Sequence, residues 1–142
     1  MKILFMCVAN SARSQMAEGL AKKILGDQFE VQSAGSNPSK LNPFAVQALK
    51  ELNLDISKHH SKSIQDLPEN FTQNLNYVIT LCADEVCPVI FAPSARRLHW
   101  PFMDPATQEK ITDQEMISRF RQVNGFICAD LVICEFNPAT QN

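Results

Sequence analysis

The sequence has 142 residues, 45% of them apolar and 20% charged, a composition expected of one globular domain over 1–142 with a substantial buried core. A formal charge of −2 offers no long-range pull toward nucleic acid or anionic lipid. No apolar stretch approaches the ~20 residues of a membrane span. The short apolar start "MKILFMCVAN" runs straight into polar "NSARSQ"; no secretory leader is expected there, and the cytoplasm is the expected compartment.

In chain order, residues 2–6, "KILFM", form a continuous apolar run, as in a strand covered on both faces. Ser11 to Leu25 has Met16, Leu20, Lys23 and Ile24 at helical spacing, with Gly26 just past its end. Residues 29–34, "FEVQSA", alternate as a strand and lead into the turn-rich "GSNPSKLNP". Pro43 opens a second helix whose stripe is Phe44, Val46, Ala48, Leu49 and Leu52. "YVITL" at 77–81 predicts a third strand and "RRLHW" at 96–100 a fourth. From Thr112, a long helix carries Met116, Phe120, Val123, Ile127, Leu131 and Cys134 three or four apart. The sequence shows no repeat, low-complexity segment or linker.

This alternation predicts an α/β fold, a four-stranded parallel sheet flanked by helices on both faces. Ligands of such sheets bind at the carboxyl ends of the strands. Cys7 ends the first strand, "SAG" at 33–35 the second and Cys82 the third, while Asp104 follows the fourth. Four chemically distinctive segments should therefore meet at one edge.

The five cysteines are Cys7, Cys82, Cys87, Cys128 and Cys134. An odd count in a chain expected in the cytoplasm argues against a disulfide framework. Cys82 and Cys87 lack a second close Cys or His pair, so a structural zinc site is not expected. Cys128 and Cys134 read as small buried hydrophobes. Cys7 differs, because Arg13 lies six positions on. Between them Val8, Ala9, Asn10, Ser11 and Ala12 must turn a strand into a helix start, and small residues with an Asn suit a tight loop whose N–H groups point inward. Such a loop is an oxyanion cradle, and Arg13 adds a planar fork for two more oxygens. The same positive field suits a nucleophilic sulfur at Cys7. Ser14 can donate to that sulfur or cap the helix. The competing explanation is a buried cysteine and a solvated arginine that share a spacing by chance.

"CVANSARSQMAEG", "SAGSNP", "LCADEVCP" and "HWPFMDPA" together make the chain resemble the low-molecular-weight protein tyrosine phosphatases and the thioredoxin-coupled arsenate reductases built on their fold. The paired cysteines and the segment around Asp104 resemble the reductase branch, and Tyr77 is the only tyrosine, whereas the phosphatases carry tyrosines beside their acid. The resemblance implies a relay of thiols. Cys7 attacks arsenate held by the loop and Arg13, Asp104 protonates the departing oxygen, Cys82 attacks Cys7, and Cys87 attacks Cys82. Thioredoxin then reduces the Cys82–Cys87 disulfide, and the implied relay needs no metal or organic cofactor. A monomer is expected. Asp104 has a second reading, as the first residue of a turn before Pro105.

Three features depart from the family pattern. Val8 and Ala9 stand where many relatives carry Thr-Gly, Ala12 stands where they carry cysteine, and the cysteine pair encloses only four residues. Some members of the reductase branch also bind potassium beside the loop. Asn10, Glu18 and Ser33 match three of its ligands, while Lys62 falls at the Asp position; either its ammonium replaces the ion and steadies the loop through Asn10 and Glu18, or it is a solvated lysine of "KHHSKS". "ADEV" between Cys82 and Cys87 has the character of a short helical turn. In that turn the two Cα atoms would stand roughly 8.6 Å apart, beyond the disulfide limit of about 6.8 Å, so oxidation is expected to unwind it. Two other functions fit parts of the pattern. One is a phosphotyrosine phosphatase, which needs Cys7, Arg13 and Asp104 but not the cysteine pair. The other is a redox-sensing or anion-binding module, which does not need Asp104.

Overall fold

The computed structural model describes residues 1–83 and 89–140. Its elements are β1 Lys2–Cys7, α1 Arg13–Leu25, β2 Glu30–Gly35, α2 Pro43–Lys50, α3 Glu69–Thr72, β3 Tyr77–Thr80, β4 Arg96–His99 and α4 Asp113–Ile133. The strands form one sheet in the order β2-β1-β3-β4, and every pairing is parallel. β1 is the centre because it can be: from Ile3 to Met6 its side chains are wholly buried, with no polar face to expose. β4, with Arg96 and Arg97 exposed, sits at the edge, where charge discourages pairing with another chain.

The chain leaves β1 toward β2 on one side and returns to β3 on the other. That reversal opens a crevice at the carboxyl ends of β1 and β3. Ile3 and Phe5 face a core built with Met16 and Leu20 of α1, Leu49 of α2, and Phe120, Ile127 and Leu131 of α4. Leu4 and Met6 face a smaller core with Val78, Phe71, Leu75 and Ile90. Three long helices thus share one face. The other is covered by the single turn α3 and its flanking loops, an element too short for helical periodicity to mark in the sequence.

Helix boundaries carry a message for the site. α1 starts at Arg13 rather than Ser11, so residues 8–12 stay outside the helix. It ends at Gly26, whose φ of 82° is left-handed and costs glycine little. α4 is set by Thr112, whose hydroxyl accepts from the Glu115 N–H at 3.0 Å. Among the described residues no helix is long and apolar enough to cross a membrane.

Candidate active site

Cys7 closes β1 with 2% of its surface exposed, paired with Gly35 on β2. Its Sγ is 2.8 Å from Ser14 Oγ and accepts from the Asn10 N–H at 3.3 Å. Asn10 Nδ2 donates to the same Ser14 hydroxyl at 2.7 Å, which leaves the Ser14 proton for the sulfur. Two donors thus converge on one buried Sγ, an arrangement suited to a nucleophile that carries negative charge.

The loop's carbonyls explain where its N–H groups go. Val8 O accepts from Asn37 N at 2.9 Å, Ala9 O from Ser39 N at 3.0 Å and Ser11 O from Asn42 N at 2.9 Å. Asn10 O accepts from Ser61 Oγ at 2.7 Å. All four carbonyls are therefore engaged by the surrounding 37–42 and 61 segments. Across a trans peptide, N–H points opposite to C=O, so the N–H groups of Ala9, Asn10, Ser11 and Ala12 turn toward the inside of the loop. This is an anion cradle made of main chain. It closes against Gly35, where a Cβ would stand 2.4 Å from Val8 O and 3.0 Å from Asn10 N. Only glycine lets the second strand lie that near.

Asn10 is the pivot. It is fully buried with a left-handed φ of 49°, a conformation Asn tolerates better than most residues. Its Oδ1 accepts from Gln15 Nε2 at 2.9 Å and from the Lys62 N–H at 3.0 Å. Gln15, also fully buried, donates to His60 O at 2.9 Å and stands 3.1 Å from His59 Nδ1. Gln15 and Ser61 could not be recognised as supports in advance, since a polar residue in the first turn of a helix, or in a polar loop, reads as solvated.

Glu18, 3% exposed, anchors the layer beneath. Ser33 Oγ donates to its Oε1 at 2.7 Å, Lys22 Nζ lies 2.8 Å from Oε2 and Lys62 Nζ 3.4 Å from Oε1. Burial alone would push this carboxyl up. The Lys62 and Lys22 ammonium groups, with the Ser33 hydroxyl, outweigh burial and hold it below the usual range. Lys62 thus touches both expected partners, but in two different ways. Its ammonium meets Glu18, and its backbone N–H, not the ammonium, meets Asn10. Desolvation pushes His59 down despite the nearby Glu18 carboxylate.

Across the crevice, Arg13 is 4% exposed and donates from Nη1 to Phe102 O at 2.9 Å. Its Nη2 stands 3.8 Å from Asp104 Oδ2. Asp104 keeps its turn role as well, since Oδ1 accepts from the Ala106 N–H at 3.0 Å. Cys82, 1% exposed, follows the end of β3, where Leu81 N donates to Met6 O at 2.9 Å. Cys7, Arg13, Cys82 and Asp104 are thereby brought to one edge of the sheet. Cys87 and the turn expected between the paired cysteines lie outside the described residues. Among the described residues no group of three or more His, Cys, Asp or Glu side chains could hold a metal ion.

Cys134 is buried and Cys128 partly so, and burial pushes both thiols up. Iodoacetamide should therefore label Cys7 ahead of Cys128 and Cys134, with phosphate or arsenate slowing it. Faster labelling of Cys128 or Cys134 in the native protein would contradict the cradle.

A strand, a six-residue step from cysteine to arginine and a helix, at the crevice of a parallel sheet, define a phosphatase-type oxyanion fold. The chain belongs to the low molecular weight phosphotyrosine protein phosphatase family, which it matches over residues 2–127. It is 47% identical over 128 residues to an arsenate reductase of Halalkalibacterium halodurans, covering 88% of each chain. A solved arsenate reductase in a phosphate binding state superposes with a TM-score of 0.71 at 30% identity, covering 92% of each chain. The thioredoxin-dependent arsenate reductase of Corynebacterium glutamicum superposes with a TM-score of 0.62 at 31% identity, over 89% of this chain and 57% of that one.

Proposed function

We propose that this chain reduces arsenate to arsenite with thiols and is regenerated by thioredoxin. The observation that carries the reading is a nucleophile in a main-chain anion cradle with a second buried cysteine, Cys82, at the end of the neighbouring strand. Arsenate has the charge and tetrahedral shape of phosphate, so the cradle and Arg13 would hold its oxygens. Cys7 Sγ attacks arsenic and one oxygen leaves as water, Asp104 supplying a proton. Cys82 then attacks Cys7 Sγ. The sulfur–arsenic bond breaks, its electron pair goes to arsenic, and arsenite departs as a Cys7–Cys82 disulfide forms. Two thiols are oxidised and one As(V) becomes As(III), so the electrons balance. Cys87 exchanges into that disulfide and frees Cys7, and the dithiol of thioredoxin reduces the Cys82–Cys87 bond. The arsenate reductases similar to this chain, one of them thioredoxin-dependent, support the reading.

The family match itself favours a second activity, hydrolysis of phosphate monoesters, which needs Cys7 and Arg13 but no second thiol. Arsenite release by the reduced protein separates the two. One equivalent without thioredoxin, and sustained turnover with thioredoxin and its reductase, are expected. Cys82→Ser should abolish arsenite release while p-nitrophenyl phosphate is still hydrolysed. Cys87→Ala should release one equivalent and stall at the Cys7–Cys82 disulfide. Unchanged arsenite release by Cys82→Ser would overturn the relay and leave the phosphatase.

A further inference from the structure

The geometry points to Arg119 of α4 as a positioning residue that aims Asp104 at the anion loop. The inference rests on the reading of Asp104 as the proton donor. Arg119 stands six residues into α4 and reaches back over the segment that joins β4 to that helix. Its Nε donates to Pro105 O at 2.8 Å and its Nη2 to Asp104 O at 3.3 Å. The two carbonyls are consecutive on the chain, and a planar guanidinium can meet both at once from one fixed fork.

The side chain of Asp104 shows what that grip achieves. Oδ1 is occupied within the turn, by the Ala106 N–H. Oδ2 is the oxygen directed at the site, 3.8 Å from Arg13 Nη2. With Oδ1 tied to the turn, the position of Oδ2 follows the main chain of residues 104–106. The hydrogen bonds of Asp104 Oδ1 and of Thr107 Oγ1 with the Glu109 N–H stay inside this segment and cannot fix it to the body of the protein. Pro105 is buried and Ala106 packs on the main core, and Arg119 adds the directional tie, linking the turn's carbonyls to a helix whose Ile117 and Phe120 are buried in that core. Asp104 itself is half exposed, so packing alone does not hold it. The arginine touches neither substrate nor nucleophile; it acts through Asp104.

A double-mutant cycle, read as single-turnover arsenite release from the reduced protein, tests this. Arg119→Met keeps the aliphatic stem and removes the fork. It should lower the rate about tenfold, part of the 10²–10⁴ range typical of a general acid, with half-saturation by arsenate unchanged. Arg119→Lys, able to reach one carbonyl but not both, should lie between Met and wild type, and it replaces Met in the cycle if Met does not fold. In an Asp104→Asn background either substitution should cost nothing further. A wild-type rate in Arg119→Met, or an equal loss in both backgrounds, would overturn the positioning role. A wild-type rate in Asp104→Asn alone would instead remove the acid, and with it anything for Arg119 to aim.

Discussion

Arg13→Ala should lower arsenate reduction about 10²–10³-fold, the loss typical when one preorganised oxyanion donor is removed. Arg13 has 4% of its surface exposed, so its charge acts in a site from which water is largely excluded. It is also placed in advance. Phe102 O holds Nη1 at 2.9 Å, and Nη2 lies toward Asp104. Arg13→Lys should recover little, because an ammonium cannot bond Phe102 and two substrate oxygens in one plane. Removing the fork leaves the Phe102 carbonyl without that donor, a cost of about 1–3 kcal/mol that thermal melts should register separately. Rates measured under conditions where each variant is folded decide the matter. A loss below tenfold would mean that the loop's N–H groups bind the anion without Arg13.

The second large effect concerns stability. Glu18→Ala should cost about 3–5 kcal/mol, the usual result of removing one partner from a buried charge cluster. The Lys62 side chain is only 11% exposed and would lose its counter-ion, while the Ser33 hydroxyl would lose its acceptor. The pH dependence has a definite sign. The folded-state pKa of Glu18 lies below its unfolded value, so the cluster's contribution is complete above about pH 4.3, where an unfolded glutamate ionises. It is lost as pH falls through the lower, folded value. His59, also lowered, adds the same sign below about pH 6.5. Urea midpoints across pH 3 to 7, roughly the span of these transitions, should fall for the wild type on acidification and stay flatter for Glu18→Gln. A change under about 1 kcal/mol in Glu18→Ala would show that Lys62 and Lys22 find other partners.

What could be read in advance was what side-chain type encodes. The run from Lys2 to Met6 declares a central strand by lacking a polar face, and the spacing of Cys7, Arg13 and Ser14 declares chemistry. Asn10 was legible as a tolerant turn residue, and its φ of 49° uses that tolerance. The loop's outer bonds were not legible, because Asn37, Ser39 and Asn42 act through main-chain N–H groups that every non-proline residue owns. Lys62 shows the limit within one residue. Its ammonium could be aligned with a charge, but the role of its backbone N–H on Asn10 depends on how the chain passes, not on its being lysine. Arg119 was hidden for the same reason, since it binds carbonyls rather than a complementary side chain.

A cradle formed by peptide N–H groups is blind to the element at the centre of the oxyanion. It reads charge and tetrahedral outline, and phosphate offers both as well as arsenate does. Discrimination in the proposed reaction must therefore come after binding, from the bond that Cys82 can break. A sulfur–arsenic bond yields its electrons to arsenic when a second thiol attacks, whereas phosphorus keeps its oxidation state and can only be passed to water. Phosphate is then a standing competitor for the loop, and selectivity is written in redox chemistry rather than in affinity.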